Sequence, residues 1–196
     1  MDIIEIDDVI PKLYQDQIEA ETTSNRMAWY FLQESGRRTK VETNYSGFCN
    51  TVYHVDDRLL APSPMVALLM PLLFVFCEKA KLPFHTLLRI RIGLFPRTMI
   101  DVPHHNPHVD FYIPHRVGLY YVNDSDGDTF LFDETFEQLS LEESVRYTAE
   151  NKFTLAKRVS PKKGRMMSFD GKYYHASMHP REHSSRIAIA FSFTVA

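Results

Sequence analysis

The residues of this chain best equipped for chemistry are His108 and Asp110, set two apart in His108-Val109-Asp110. In an extended strand, residues i and i+2 face the same way, so the imidazole and the carboxylate are expected to enter one cavity with Val109 on the other face. Such a pair suits a divalent metal. With a second imidazole it makes a two-His, one-carboxylate face with open positions opposite, an arrangement that fits iron. A His-x-Asp tripeptide alone is a weak signal, and its value depends on that second imidazole. His175, in Phe169-Asp170-Gly171-Lys172-Tyr173-Tyr174-His175-Ala176-Ser177, is the expected third ligand. His179 shares its strand parity and is the alternative.

Eleven residues after His175 comes Arg186, at the head of Arg186-Ile187-Ala188-Ile189-Ala190-Phe191-Ser192-Phe193. By parity Ile187, Ile189, Phe191 and Phe193 form a bulky face, and Arg186, Ala188, Ala190 and Ser192 form the other. A guanidinium followed by three small residues implies space in front of that face, and the planar fork can take a carboxylate in two parallel bonds. The plainer reading is an edge-strand arginine on a solvated face. Arg89 and Arg91 alternate with Ile90 and Ile92; with Arg97 they line a substrate groove, or face solvent and ion-pair partners. His104 and His105 lie in a Pro-bounded loop that reads as a mobile rim, with substrate contact the alternative. His54, His85 and His115 read as structural or solvated, and Asp170 as a solvated turn residue or an orienter of a nearby ligand.

The elements that must position these groups divide along the chain. Residues 2–6 read as a short strand, Pro11 to Glu21 as a helix with Pro suited to its first turn, and Met27 to Gln33 as a strand. Glu42 to Asp57 is polar and reads as loop with at most one strand. Ser63 is the expected cap of a helix reaching Lys81, with Pro64 at its first position and a kink or split at Pro71. After Pro83 the pattern turns to short strands: Leu87–Leu94, Arg116–Asn123, Thr129–Phe132, Phe153–Val159, Arg165–Phe169, Tyr173–Met178 and Arg186–Val195. Asp124-Ser125-Asp126-Gly127 is a turn, and Ser140–Glu150 a short helix or acidic excursion. Helices first and a compact β-fold after them predict a mainly β or α+β sandwich or barrel, not a doubly wound parallel sheet.

Bulk composition is consistent with one domain, 1–196, with helical support mainly over 1–85 and a β core over 86–196. The chain has 196 residues, 44% of them hydrophobic, so it can fill a core. Its 22 basic and 25 acidic residues give a net charge of -3, which supplies no electrostatic reason for general nucleic-acid binding. The cysteines, Cys49 and Cys77, form no CxxC pair and read as buried free thiols. The N-terminus has no basic segment before an apolar core, and the apolar run Met65–Cys77 is shorter than the roughly 20 residues a membrane helix needs. A reducing, cytoplasmic setting is expected, with no membrane association.

Taken in order, a His-x-Asp, the Tyr-rich segment Gly118-Leu119-Tyr120-Tyr121, the Gly127-Asp128-Thr129 turn, Gly164-x-x-x-x-Phe169, His175 and Arg186 resemble the Fe(II)/2-oxoglutarate-dependent oxygenases, and most of all their prolyl 4-hydroxylase-like branch. The resemblance covers Leu87 to Phe193. It implies a double-stranded β-helix, the jelly-roll of cupin-like proteins. It implies that His108, Asp110 and His175 hold Fe(II), that Arg186 binds the far carboxylate of 2-oxoglutarate with help from Tyr121, and that Leu119 lines that pocket. The implied reaction is hydroxylation of a substrate C–H bond with O2, releasing succinate and CO2. The substrate would be a peptidyl proline, a free amino acid or another small metabolite. Two departures stand out. The turn has one glycine where family members often have two, and Leu94-Phe95-Pro96 puts Phe95 where several have a tyrosine. A cupin-type metalloenzyme that does not use 2-oxoglutarate, and a non-catalytic metal-binding sensor, are the rival readings.

Overall fold

A computed structural model of the chain describes residues 1–32, 46–56, 63–99 and 103–196. In chain order the elements are β1 (Ile3–Ile6), α1 (Lys12–Thr22), β2 (Tyr30–Leu32), β3 (Gly47–His54), α2 (Pro64–Ala80), β4 (Phe84–Pro96), β5 (Arg116–Tyr121), β6 (Thr129–Thr135), α3 (Leu141–Ala149), β7 (Leu155–Val159), β8 (Met166–Asp170), β9 (Tyr173–Ser177) and β10 (Ser185–Val195). They form a seven-stranded antiparallel sheet, ordered β1-β8-β5-β10-β4-β3-β2, and a three-stranded one, ordered β7-β6-β9.

Strand parity builds the layers. On β10, Ile187, Ile189, Phe191 and Phe193 are buried with Ile90 and Ile92 of β4 against Leu69, Leu72, Leu73 and Phe76 of α2 and Ile18 of α1. The opposite face of the large sheet meets the small sheet through Val117, Tyr121, Met167, Phe169 and Ala188, packed on Leu131 and Val159. A third cluster, Val109, Phe130, Phe132 and Tyr174, backs the small sheet on its outer side, with Tyr147 of α3 and Phe153 packed on it. The cavity lies between the sheets, where both inner faces turn to small or polar residues.

Most expected elements form, with boundaries shifted by a few residues. Ser63 caps α2, its side chain accepting from Met65 N at 3.3 Å, and Ser140 makes a capping box with Glu143 on α3. The helix α2 runs unbroken through Pro71. Pro71 and Ala67, whose carbonyl loses its donor, are both exposed, so water can take the missing bond. The expected loop over Glu42–Asp57 contains the eight-residue strand β3, while 42–45 and 57 lie outside the described residues, as does Gln33 at the end of the expected strand. The first 85 residues hold α1 and α2 and also β1, β2 and β3 of the large sheet. Among the described residues no helix is long and apolar enough to cross a membrane.

Candidate active site

His108 does not sit in a regular strand: it makes one antiparallel bridge to His175 of β9. His108 N donates to His175 O at 3.0 Å and His175 N to His108 O at 2.9 Å. That pair of bonds sets the two imidazoles side by side, with ring centroids 4.6 Å apart. Two residues on, Asp110 reaches the same space, and the ligand atoms of His108, Asp110 and His175 all lie within 4.8 Å of one another. Val109 points the other way, into the cluster behind the small sheet.

The protonation pattern of this trio suits a metal. Burial lowers both imidazole pKa values, His175 to about 3, so both rings are neutral near pH 7. Each Nδ1 faces the carbonyl two residues back, His108 on Asn106 O at 3.2 Å and His175 on Tyr173 O at 3.3 Å. A carbonyl only accepts, so Nδ1 carries the proton and Nε2 keeps its lone pair. Burial pushes the Asp110 carboxyl up, but the Arg89 guanidinium and the imidazoles beside it win and hold it well below the usual carboxylate range. Arg89 Nη2 stands 2.5 Å from Asp110 Oδ1, and Ser192 Oγ donates to Oδ2 at 3.0 Å. The carboxylate is thereby ionised and fixed in orientation.

Cross-strand rows order the floor of the cavity. Facing the small sheet, β4, β10 and β5 align as Arg89–Ser192–Val117, then Arg91–Ala190–Leu119, then Gly93–Ala188–Tyr121, and finally Phe95–Arg186. Arg186, 3% exposed, closes the far end. Its guanidinium lies 5.8 Å from the Phe95 ring and 5.7 Å from the Tyr121 ring. Arg186 Nη2 donates to Thr129 Oγ1 at 3.0 Å, and Tyr121 OH donates to the same oxygen at 2.8 Å. Arg186 Nε is buried and has no hydrogen-bond partner among the described residues. On the small sheet, the row Leu131–His175 borders the His108–Asp110–His175 trio and the row Thr129–Ser177 borders Arg186. Two residues of strand, about 6.6 Å, separate those rows, which matches the reach of an extended five-carbon diacid. The whole cleft, counted to its open mouth, is about 690 Å³.

Of the residues singled out in the sequence, His108, Asp110, His175, Arg186 and Leu119 line this one cavity, as do Arg89 and Arg91. Tyr121 stands just behind its wall, on Thr129 and Arg186. His179 is apart from the trio, its Nδ1 2.6 Å from Pro96 O. The expected mobile rim is wrong for His105, which is 0% exposed and packed against Phe95 and His179. Its backbone N donates to Ser177 O at 2.7 Å, so the loop is stitched to β9. His104 packs on Phe130 and Phe132. Arg97 is exposed, and Asp170 accepts from Lys172 N as a turn residue does. Thr129 is a site residue that the sequence reading passed over. Its motif was visible, but its role depends on donors 8 and 57 residues away.

No family model and no curated protein matches the chain. Solved structures do match. An oxidoreductase of the 2-oxoglutarate-Fe(II) oxygenase family from Burkholderia pseudomallei aligns with 98% of this chain and 85% of its own, at a TM-score of 0.67 and 10% identity. HygX from Streptomyces hygroscopicus, solved with nickel and 2-oxoglutarate, aligns with 98% of this chain and 82% of its own, at 0.61 and 16%. A prolyl-4-hydroxylase from Pseudomonas putida aligns with 98% and 91%, at 0.57 and 11%. The chain therefore has the fold of these oxygenases, the mainly β jelly-roll that the sequence implied.

Proposed function

We propose that this chain is an Fe(II)- and 2-oxoglutarate-dependent dioxygenase that hydroxylates a C–H bond of a small-molecule or peptide substrate. The observation that carries the reading is Arg186. A buried guanidinium whose Nε has no partner among the described residues is costly unless an anion completes it, and it faces the His108–Asp110–His175 trio across one diacid length. Two neutral Nε2 lone pairs and one ionised carboxylate are the donor set that divalent iron takes while keeping open positions.

When bound, iron, 2-oxoglutarate and O2 together supply oxidative hydroxylation, with release of succinate and CO2. The chain's own residues do the rest. Arg186 and Thr129 fix the far carboxylate, and Tyr121 holds Thr129 in place. Leu119, Ala188 and Ala190 form an apolar wall that limits water around the reacting groups. Ser192 and Arg89 hold Asp110 in one orientation. Phe95 replaces the anchoring hydroxyl of some relatives with a ring that covers Arg186, so the carboxylate would rely on Arg186 and Thr129.

The test is the visible charge-transfer band of Fe(II)-chelated 2-oxoglutarate, recorded without oxygen and without any substrate. The band should form in the wild-type protein, vanish in His175→Ala and need about 100-fold more 2-oxoglutarate in Arg186→Ala, the cost of roughly two charge-assisted hydrogen bonds. Folded, iron-loaded protein with no band would refute the 2-oxoglutarate reading and leave a cupin-type metalloenzyme in its place.

A further inference from the structure

The inward face of β4 presents Arg89, Arg91, Gly93 and Phe95 to the cavity. Arg89 is tied to Asp110, and Phe95 covers Arg186. Gly93 leaves room: beyond its chain neighbours, no atom of a described residue lies within 4 Å of where a Cβ would stand. Arg91 is different: it lines the cavity half-buried and makes no hydrogen bond or ion pair with any described residue. Its row runs from exposed Thr51 on β3 through Arg91 to Ala190 and Leu119, so Arg91 stands where the cavity opens to solvent. Leu32 adds apolar surface to the lining.

Charge points the same way. The charged side chains in the described lining are three guanidinium groups, Arg89, Arg91 and Arg186, and one carboxylate, Asp110, which leaves a net charge of two positive. A divalent metal and a dianionic 2-oxoglutarate cancel each other, so the loaded cavity keeps that surplus. An enclosed cavity of one sign attracts the opposite charge, and an unpaired cation in its wall is stabilised when that charge arrives. The arginine at the far end is already assigned to the co-substrate, and the near carboxylate of 2-oxoglutarate falls to the metal. Arg91 is left for the molecule that enters last.

We propose that the substrate of this site is a small organic acid, and that Arg91 binds its carboxylate at the cavity mouth. The inference rests on the oxygenase reading above. It favours carboxylate-bearing small molecules, free amino acids included, over a neutral peptidyl residue.

The test uses full-length protein loaded with Ni(II), which is inert toward oxygen here, and saturating 2-oxoglutarate. A panel of amino, hydroxy and aromatic carboxylic acids, each paired with its primary amide, is screened by ligand-observed NMR. At least one acid should bind, its amide about tenfold or more weaker, and Arg91→Met should lose the acid by a similar factor. Arg91→Lys should restore part of the binding. The 2-oxoglutarate affinity of Arg91→Met, read from the anaerobic Fe(II) band, should stay at the wild-type value. Arg91→Gln replaces Arg91→Met if the latter does not keep the wild-type melting temperature. The proposal is overturned if no acid binds, if amides bind as well as acids, or if Arg91→Met weakens 2-oxoglutarate instead. A wild-type protein that gives no band overturns the oxygenase reading itself, and that is known before the panel is begun.

Discussion

Replacing Thr129 with valine isolates one hydroxyl at the Arg186 end of the cavity. Thr129 Oγ1 accepts from Tyr121 OH at 2.8 Å and from Arg186 Nη2 at 3.0 Å. A hydroxyl oxygen has two lone pairs, so both are used and its own proton must go to a third group. Thr129 lines the cavity, and under the proposed function the carboxylate of 2-oxoglutarate would be its acceptor. Valine keeps the branched shape and removes the hydroxyl. Losing a hydrogen bond to an ionised carboxylate costs about 1.5–3 kcal/mol. Part returns, because Arg186 Nη2, freed from Thr129, can turn to the carboxylate. Tyr121, its phenol pushed up to about 12 by burial and so protonated, can turn its one proton to Met167 Sδ, 3.3 Å away. The net loss is about 1.5–2 kcal/mol, or roughly 10–30-fold in 2-oxoglutarate affinity. Titrating 2-oxoglutarate into the anaerobic Fe(II) protein measures it, and metal affinity should not change. Thr129→Ser, which keeps the hydroxyl, should bind nearly as well as the wild type. A loss below about threefold in Thr129→Val, or an equal loss in Thr129→Ser, would refute this hydrogen-bond assignment.

Two further predictions follow from single contacts. A Cβ on Gly127 would stand 2.7 Å from Met178 O and 3.0 Å from Arg186 Cδ, so Gly127→Ala should displace Arg186 and weaken 2-oxoglutarate while leaving metal affinity intact; equal losses of both would point to general unfolding instead. Asp7 accepts from Arg165 Nε at 2.6 Å and Lys162 Nζ at 2.8 Å, and these bonds lower its carboxyl from 3.8 to about 2. A carboxyl lowered by folding stabilises above its unfolded pKa and loses that contribution as pH falls through its folded value. The melting-temperature gap between the wild type and Asp7→Asn should therefore be full above about pH 4 and close towards pH 2, its size limited by solvent exposure to roughly 1 kcal/mol. A gap that is constant across that range would count against the assignment.

How much of this was legible in the sequence depended on where each constraint originates. The strand β10 could be read almost to the residue, because it is central, buried on both faces and alternates large with small. The spacing of His108 and Asp110 also carried its meaning, although the local geometry is a single bridge and not the strand assumed. The strand β3 was only half legible: its segment reads as loop with at most one strand, and neither its bounds nor its place in the sheet could be read. It lies one place from the sheet edge, mixes polar and apolar residues on both faces, and carries a register shift between Thr51 and Tyr53 that breaks its period. The boundary of α2 at Ser63 and Pro64 was readable, since capping is local, whereas the survival of the helix through Pro71 depended on which face met water.

The harder cases are the residues whose partners are distant in sequence. His105 sits in a Pro-bounded loop, as a rim residue would, yet contacts with Phe95, Ser177 and His179 bury it, and none of them is local. Arg89 and Arg91 look identical in the sequence, two arginines on one face of one strand. The fold separates them: it brings Asp110 and Ser192 to Arg89 and only small or apolar cross-strand neighbours to Arg91. One arginine therefore spends its charge inside the protein, on the carboxylate that would face the metal, and the other keeps its charge for the cavity. That difference is invisible to parity and composition, and under the proposed function it is where this chain's substrate preference would be written, since the trio and Arg186 would serve the co-substrate alike whatever the substrate.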